Sequence, residues 1–362
     1  MSFGADPEFF IWDRKHDRPV PAHKAGFPDK HNKRILASKA SVFRDGYAIE
    51  VNPIPFTCRG LYNDHMKASL QAVRTMVYEK NTDWTVIATP VVRIDLVKDM
   101  ADAPKDVLEF GCEGALDAYT GEPTQVHIRA MEHEYRYAGG HMHFGNPNAI
   151  YLHPSYVNEG TYVQNRADAN RHVLAQTQEF PRLVKMLDLY VGVLDSYLFH
   201  DPRMFLRRTH YGKAGEYRIQ QYPVTLNTAA YGQPVHHVTQ MVQGLEYRTP
   251  SPMMYTNQAV IALMYGAANH VIRNYATLAK SWDVKAEPYI QHAINEGEGL
   301  DKIVETLMLP QLFRSSGLQK AKAWLQRGVS LNDFLDCPQG GHYNWPELPA
   351  SSWGISMADV AR

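Results

Sequence analysis

Polar residues recur two positions apart in five segments that lie far from one another along the chain. The pairs are Asp6/Glu8, Glu50/Asn52, His141/His143, Glu216/Arg218 and Glu246/Arg248. Alternate side chains of an extended strand point to the same face, so each pair would project both members to one side. For any single pair, an ordinary solvent-exposed strand face is the favoured interpretation. The repetition across distant segments instead predicts one antiparallel sheet that lines a concave surface with acids, imidazoles and guanidinium groups.

Such a surface has a definite chemistry. Charged groups held in a cleft without partners are costly, so ions and a charged ligand would be needed to satisfy them. Carboxylate oxygens suit Mg²⁺ or Mn²⁺, and a neutral imidazole can join them as a ligand. Arginine offers a planar fork to phosphate or carboxylate. Together these groups describe a site for phosphoryl transfer, in which catalysis is mainly charge neutralisation and alignment.

Two glycine-containing segments are the strongest local signals for a ligand site. In residues 139–145 (GGHMHFG), the glycines around His141 and His143 would let a backbone or a bound ligand approach closely. Residues 211–215 (YGKAG) would place Lys213 and backbone N–H groups over phosphates. This loop lacks the glycine spacing and the Ser/Thr of a Walker A motif, so any nucleotide must be held in another way.

The elements that would position these residues are mostly strands. Residues 3–12 predict a strand, and Pro7 places it at an edge or a bulge. The Asp45–Gly46 dipeptide predicts a hairpin turn before an alternating strand, and Pro250 should end the strand of residues 244–251. Further strands are predicted at residues 84–95, 125–130 and 135–144, and loops at residues 14–33 and 207–215.

Helical periodicity marks the remaining segments. Residues 61–80, 166–200 and 256–282 have apolar residues at helical spacing, and Pro181 should interrupt the second helix. Residues 287–336 predict smaller helices. The sequence analysis therefore predicts an α+β fold, with a catalytic domain over residues 1–285 and a helical C-terminal extension over residues 286–362 packed on it.

Composition excludes several classes of protein. The chain has 362 residues, 44% of them hydrophobic, and a formal net charge of −1, which argues against nucleic-acid and anionic-membrane partners. Cys58, Cys112 and Cys337 are odd in number and widely spaced, which argues against a disulfide scaffold or a cysteine zinc site. Neither a signal peptide nor an apolar run of about 18 residues is present. We expect a soluble, cytoplasmic protein.

As an ordered set, the motifs resemble those of a known superfamily. Residues 4–10 (GADPEFF) resemble the GxExEFF strand of glutamine synthetases and the corresponding start of glutamate–cysteine ligases. Residues 139–145 resemble the glycine–histidine strand of that group, and residues 245–250 (LEYRTP) resemble its later Glu-aromatic-Arg strand. Across residues 4–251 the chain is most similar to the phage-encoded carboxylate–amine ligases, or amidoligases, which would place it in a host cytoplasm.

The resemblance implies a fold, an activity and a set of site residues. The fold would be a curved antiparallel sheet, forming a partial barrel backed by helices, around ATP and two or three divalent ions (Mg²⁺ or Mn²⁺). ATP would phosphorylate a carboxylate, and an amine would then attack the acyl phosphate to form an amide. The carboxylate and amine would be small molecules or peptides. The implied metal ligands are Glu8, Asp6, Glu50, His141 and Glu246; the implied nucleotide contacts are His143, Lys213 and Arg208; the implied catalytic residues are Arg218, Arg248 and Glu216.

Asp6 departs from the family pattern, and rival functions stay open. Glutamine synthetases have glutamate at this position, so the shorter Asp6 side chain would reach its ion through water. A metal-dependent hydrolase is one alternative, because HxH strands also hold zinc, although the strand–helix alternation it needs is absent from the pattern. A guanidine-type phosphotransferase and a catalytically inactive relative are the others. The retained acids and arginines favour the ligase.

Overall fold

The computed structural model describes residues 2–56, 59–108, 114–124, 129–145, 179–228 and 236–307. The fold of these residues is α+β, with a curled antiparallel half-barrel sheet and helices. The α+β fold and the curved antiparallel sheet predicted from the sequence are therefore confirmed. None of the described helices is both long and apolar enough to cross a lipid bilayer.

The strands are short except for one long hairpin. In chain order they are β1 (Ser2–Ala5), β2 (Glu8–Asp13), β3 (Arg18–Val20), β4 (Arg34–Ile35), β5 (Ser41–Asp45), β6 (Ala48–Asn52), β7 (Trp84–Ile87), β8 (Val91–Arg93), β9 (Ala115–Asp117), β10 (Pro123–Thr124), β11 (Tyr135–Tyr137), β12 (Met142–Gly145), β13 (Glu216–Thr228) and β14 (His236–Tyr247).

These strands form three sheets. The first has the order β1-β12-β14-β13-β9-β10, and the second has the order β3-β2-β6-β5-β4, with β7 also paired to β2. The third sheet is the pair β11-β8. The chain passes from the first sheet to the second at Asp6 and Pro7. There the backbone N–H of Glu8 donates to the Gly139 carbonyl at 2.9 Å and that of Val51 donates to the Pro7 carbonyl at 3.0 Å, so the sheets meet at this crossing.

Helices cover the apolar side of the sheets. They are α1 (Arg59–Lys80), α2 (Leu96–Met100), α3 (residues 179–198), α4 (Pro202–Arg208), α5 (Gln258–Arg273), α6 (Tyr275–Lys280), α7 (Glu287–Glu296) and α8 (Leu300–Leu307). Phe9, Phe144 and Leu245 lie in one hydrophobic core with residues of α1, α3 and α5. Burial of this core supplies the main driving force for the fold. Glu8, His143 and Glu246, which alternate with these apolar residues along β2, β12 and β14, are thus turned to the opposite, concave face.

The helix predicted at residues 61–80 and the hairpin at Asp45–Gly46 are confirmed. Three predicted strands are wrong in extent, because each is broken where the chain changes sheet. Residues 3–12 form β1 and β2, residues 84–95 include β7 and β8, and residues 135–144 include β11 and the start of β12. Residues 14–33, predicted as loop, include β3 and a 3-10 turn at Ala22–Ala25.

Several helix predictions also need correction. Residues 179–198 are helical through Pro181, and the predicted helix before residue 179 lies outside the described residues, so the interruption at Pro181 stays a prediction. The irregular part of α3 is a π-helical segment at Asp188–Gly192. Within residues 256–282, the 3-10 turn of Pro252–Thr256 ends and is followed by α5 and α6. The loop predicted from residue 207 begins after α4 ends at Arg208. The three cysteines, most of the strand predicted at 125–130, and the chain beyond 307 lie outside the described residues.

The C-terminal helices share the main core. Ala286, Ile290 and Ile294 are fully buried in the same hydrophobic cluster as the residues of α3 and α5. Their burial fits the prediction that residues after 285 pack on the rest of the chain, as far as the described residues extend. The division of the chain at residue 285 stays a prediction.

We expect Gly140→Ala to destabilise the fold. A Cβ atom at Gly140 would lie 2.1 Å from the Ser251 carbonyl oxygen, a backbone atom that cannot turn away. Forced overpacking of this kind costs about 1–3 kcal/mol. Urea unfolding would measure the loss, and Gly114→Ala is the control, since its Cβ would meet Thr124 at an ordinary 3.7 Å. Equal stability of the two variants would contradict this account of the close approach.

Candidate functional site

Two clusters of possible metal ligands lie where the two large sheets meet. We call Asp6, His143 and Glu246 the first ligand group, and Glu8, Asp45 and Glu50 the second ligand group. In each group, one ligand atom from every residue lies within 4.8 Å of the others. Acids from segments that are far apart in sequence therefore converge on one concave face, as the spacing of the polar pairs predicted.

Cross-strand register builds the first ligand group. His143 on β12 lies opposite Gly4 of β1 on one side and opposite Glu246 of β14 on the other. The absence of a side chain at Gly4 leaves room beside His143, whose Cβ would lie only 3.4 Å from a Cβ at position 4. Asp6 follows the end of β1, and its Oδ1 lies 2.9 Å from His143 Nε2. The group is thus held by three neighbouring strands.

The second ligand group comes from the second sheet. Glu8 on β2 pairs directly with Glu50 on β6, so their side chains leave the same face side by side. Asp45 is the last residue of β5, at the turn of the β5–β6 hairpin. The Gly139 N–H donates to Glu8 Oε2 at 2.7 Å, which orients the Glu8 carboxylate. Like charges placed directly opposite are unfavourable, so this arrangement favours a bound cation.

His141 and Tyr211 connect the two ligand groups. His141 Nδ1 lies 3.1 Å from Asp6 Oδ1 and 3.6 Å from Glu246 Oε1. On the other side of the ring, His141 Nε2 lies 2.7 Å from the Tyr211 hydroxyl, which donates to Glu8 Oε1 at 2.9 Å. A chain of close polar contacts therefore runs from the second ligand group to the first.

Two arginines lie beside the ligand groups. Arg248 NH1 donates to Glu246 Oε1, and the Arg248 side chain is buried. Arg218 lies opposite Glu246 across β13 and β14, with its NH1 3.6 Å from Glu246 Oε1. Both guanidinium groups are thus placed at the edge of the first ligand group, where a phosphate could meet them.

A second pair of arginines fixes the turn that carries Arg248. Arg207 donates to the carbonyl oxygens of Arg248, Thr249 and Pro250 at 3.2, 2.9 and 3.2 Å. Arg208 donates to Gly212 O at 2.7 Å and to Asp195 Oδ2 at 3.3 Å. Both side chains are almost completely buried, so they hold backbone rather than ligand. The contact between Arg208 and a nucleotide, which the resemblance implied, has no support in this geometry.

Asp188 supports the same turn from the π-helical segment of α3. Its Oδ1 accepts a hydrogen bond from the Tyr247 hydroxyl at 2.7 Å and another from the Thr249 hydroxyl at 3.2 Å. These residues flank Arg248 on each side. The deviation from regular α-helical geometry at Asp188–Gly192 therefore occurs where the helix meets the site.

Burial of several carboxyl groups shifts their pKa values upward. Burial, together with the nearby Asp45 charge, raises the pKa of Glu8 to about 8. Burial, with the charges of Asp6, Asp45 and Glu8, raises the pKa of Glu50 well above its usual range. Burial also raises the pKa of Asp45. These upward shifts show that the second ligand group has too little positive charge from the protein itself.

The first ligand group is balanced differently. Burial would raise the pKa of Asp6, but the contacts with His143 and His141 outweigh it and hold that pKa well below its usual range. Burial is likewise outweighed at Glu246, whose pKa is lowered by the Arg248 guanidinium. Burial, with the Arg248 charge, lowers the pKa of His141 to about 4, so His141 is neutral at neutral pH. The carboxylates of this group are ionised and ready to bind a cation.

The two ligand groups include four of the five predicted metal ligands and one residue with a different predicted role. Asp6, Glu8, Glu50 and Glu246 fall in the ligand groups, as predicted for metal ligands. His143, predicted to contact the nucleotide, belongs to the first ligand group. His141, predicted as a ligand, is in neither group, and its Nδ1 and Nε2 lie beside Asp6 and the Tyr211 hydroxyl. Its role as a metal ligand stays a prediction.

The other predicted residues lie around the site. The Glu216 carboxylate accepts from the Gly212 N–H at 2.8 Å, which closes the loop of residues 211–215. Lys213 is exposed on that loop, where it is free to approach a ligand from solvent. Glu216 thus shapes the loop, and a direct role for it in catalysis stays a prediction.

Sequence reasoning missed Asp45 and Tyr211. Asp45 was recognised only as part of a turn, although an acid at the end of a hairpin strand next to Glu50 was an available signal. Tyr211 lay within the YGKAG segment, but its contacts with Glu8 and His141 span 203 and 70 positions and leave no local pattern.

A separate cavity of about 930 Å³ lies beside β8 and α2, and no residue of either ligand group lines it. Charged residues at its edge pair with one another, Arg18 with Asp99 at 3.3 Å and Arg93 with Glu134 at 2.7 Å. Its apolar wall includes Trp12, Ile87 and Val92. Because this cavity contains neither ligand group, we place the candidate site at the ligand groups instead.

Comparison with protein-family models, curated proteins and solved structures finds no match to this chain. The resemblance to carboxylate–amine ligases therefore rests on the sequence motifs alone.

We expect Asp45→Asn to weaken divalent-cation binding at least tenfold. The substitution removes one charged oxygen donor from the second ligand group without changing the size of the side chain. Mn²⁺ binding to the purified protein, followed by electron paramagnetic resonance, would measure the loss. Asp102→Asn is the matched control, since Asp102 is exposed and pairs with Lys24 at 3.5 Å, away from the site. Unchanged Mn²⁺ affinity in Asp45→Asn would remove Asp45 from the ligand group.

We expect Asp188→Asn to alter the pH dependence of stability. Burial raises the pKa of Asp188 to about 7, above its unfolded value of 3.8, so the folded state holds a proton that the unfolded chain has released. The wild type therefore loses stability as the pH rises from 3.8 to about 7, whereas asparagine does not titrate. The stability of the variant relative to the wild type should rise by up to roughly 1.4 kcal/mol per pH unit. Urea unfolding across the interval would measure it, and a constant difference would contradict the shift.

Proposed function

We propose that this protein is an ATP-dependent carboxylate–amine ligase that requires Mg²⁺ or Mn²⁺. The observation that carries the proposal is the convergence of two three-residue ligand groups with Arg218 and Arg248 on the concave face of a curled antiparallel sheet. The ordered motifs of residues 4–251 resemble those of this class of ligase, which supports the same conclusion. A glutamine synthetase-type fold is part of the proposal.

The donor atoms fit hard divalent cations. Five of the six residues in the two ligand groups are carboxylates, and the sixth is His143. Mg²⁺ and Mn²⁺ prefer oxygen donors, and Mn²⁺ also accepts an imidazole. Burial raises the pKa values of Asp45, Glu8 and Glu50, and the charges of neighbouring carboxylates add to the rise, so a bound cation would supply positive charge that favours their ionised forms.

The reaction would proceed in two steps. A substrate carboxylate attacks the γ-phosphorus of ATP, the bond to the β-phosphate oxygen breaks, and ADP leaves. An amine then attacks the carbonyl carbon of the acyl phosphate, loses a proton and expels inorganic phosphate, which leaves an amide. The cations would offset the charge of the triphosphate and of the transferred phosphoryl group.

The chain's own residues would align this chemistry. Arg248 and Arg218 would bind the transferred phosphoryl group, since a guanidinium group matches phosphate geometry and remains charged. Lys213, exposed on the loop of residues 211–215, would approach the phosphates from the solvent side. Arg207 and Arg208 would act indirectly by holding the turn that presents Arg248.

Two other reaction classes share parts of this site and separate from the ligase by their products. A metal-dependent hydrolase would cleave its substrate without consuming ATP. A guanidine-type phosphotransferase would form ADP and a stable phosphoramidate. The test is a screen for ADP release with Mg²⁺ across pairs of carboxylates and amines, followed by mass spectrometry of the product. An amide with ADP and phosphate supports the ligase, and either of the other product sets overturns it.

We expect Glu8→Gln and Arg248→Ala each to lower ATP turnover at least a hundredfold. The first removes a charged ligand from the second ligand group, and the second removes the guanidinium that faces the phosphoryl group. Because Arg248 is buried, Arg248→Lys is included to keep a positive charge in place, and circular dichroism would establish that each variant is folded. Arg93→Ala is the control, since Arg93 is exposed and pairs with Glu134. Wild-type turnover in a folded Glu8→Gln protein would contradict the assignment.

A further inference from the structure

We infer that Tyr211 is a positioning residue that links the two ligand groups, so that their two cations bind interdependently. The inference uses the cation-binding part of the proposed function and does not depend on the identity of the substrates. It concerns a hydroxyl group that neither belongs to a ligand group nor was assigned a role by the sequence.

The contacts of Tyr211 place it between the groups. Its hydroxyl lies 2.9 Å from Glu8 Oε1 in the second ligand group and 2.7 Å from His141 Nε2. His141 Nδ1 then lies 3.1 Å from Asp6 in the first ligand group. Tyr211, Glu8 and His141 are respectively 6%, 5% and 2% exposed, so bulk water competes little with these bonds. One phenol is thus the shared neighbour of a ligand carboxylate and of the imidazole that reaches the other group.

A single hydrogen atom connects the two contacts. A phenol has one O–H to donate, so when it donates to Glu8 it can only accept from His141. The direction of the bond at Glu8 therefore determines the direction of the bond at His141. A cation that fixes the Glu8 carboxylate would also fix the Tyr211 hydroxyl and, through it, the His141 ring beside Asp6. An ion bound at the second ligand group would therefore change the orientation of His141 beside Asp6, and so the affinity of the first ligand group for its own ion.

The protein holds the Tyr211 ring in one place. The guanidinium carbons of Arg207 and Arg248 lie 4.9 and 5.1 Å from the ring centroid. The next residue, Gly212, has φ = +66°, and a Cβ there would lie 2.2 Å from the Arg207 guanidinium, so only glycine allows this close approach. The loop is thus constrained, and the packing of the Tyr211 ring fixes which groups its hydroxyl can contact.

Groups that orient a metal ligand from outside are usually worth 10- to 100-fold in metal affinity. We therefore expect Tyr211→Phe, which keeps the ring and loses only the hydroxyl, to weaken Mn²⁺ binding by about that factor at both ligand groups. Mn²⁺ titration of the full chain without nucleotide, followed by electron paramagnetic resonance and calorimetry, measures this directly. Thermal unfolding of the metal-free variants separates loss of affinity from loss of fold.

Tyr265→Phe is the matched control. Tyr265 is also a buried tyrosine, 2% exposed, and its hydroxyl donates to Gly4 O at 3.0 Å and lies 2.9 Å from the Tyr62 hydroxyl. It loses the same atom from a similar environment but has no contact with Glu8 or His141 among the described interactions. We expect its Mn²⁺ affinity to equal that of the wild type.

Coupling between the groups is tested by combining Tyr211→Phe with Glu50→Gln. In the wild-type background, Glu50→Gln damages the second ligand group and should lower the affinity of the ion that remains at the first by about fivefold or more. In the Tyr211→Phe background, the same substitution should leave that affinity unchanged. This double-mutant cycle measures the part of the coupling free energy between the two ligand groups that depends on the Tyr211 hydroxyl.

The outcomes separate this inference from the proposed function. Wild-type Mn²⁺ affinity in Tyr211→Phe, or an equal effect of Glu50→Gln in both backgrounds, overturns the inference about Tyr211 alone. The expected losses without any ADP-forming activity support the Tyr211 link and count against the ligase. A wild-type protein that binds no Mn²⁺ overturns both.

Discussion

The structure depends on concentrating negative charge where two sheets meet. Five carboxylates of the ligand groups converge, with Arg218 and Arg248 beside Glu246, and burial keeps water from screening their repulsion. Removing ionised groups from water is costly unless counter-charge is supplied. Burial raises the pKa values of Glu8, Asp45 and Glu50, which is the effect of this cost in the protein without a bound ion. A bound cation would offset this cost by supplying positive charge next to the carboxylates.

The rest of the chain maintains that convergence. The crossing at Asp6 and Pro7 takes one peptide from the first sheet to the second, so acids two residues apart serve different ligand groups. Gly140 lets the chain before β12 approach the turn at Ser251, and Arg207 gathers the carbonyl oxygens of that turn. Without these backbone contacts, Arg248 would not face Glu246. Burial of the hydrophobic cores behind the sheets stabilises the fold and offsets the cost of burying these carboxylates.

The sequence predicted the parts of the site that depend on local periodicity. Alternation on β2, β6, β12 and β14 correctly placed Glu8, Glu50, His143 and Glu246 on one face, and helical spacing predicted α1. It did not predict which strands are neighbours, because cross-strand register is set by contacts distant in sequence. Asp45 and Tyr211 were missed for that reason. His141 was assigned as a ligand from the resemblance, and it lies one residue before β12 and outside both ligand groups. The burial of Arg208 follows from the packing of α4 against the turn after β14, which no spacing pattern records.

The central claim is that the two ligand groups are cation sites, and anomalous diffraction from crystals soaked in Mn²⁺ tests it most directly. Mn²⁺ scatters anomalously, so its positions can be found without assuming the ligands. The account predicts one anomalous peak among Asp6, His143 and Glu246 and another among Glu8, Asp45 and Glu50. Well-ordered crystals with no peak at either group, or with peaks only elsewhere on the protein, would contradict it.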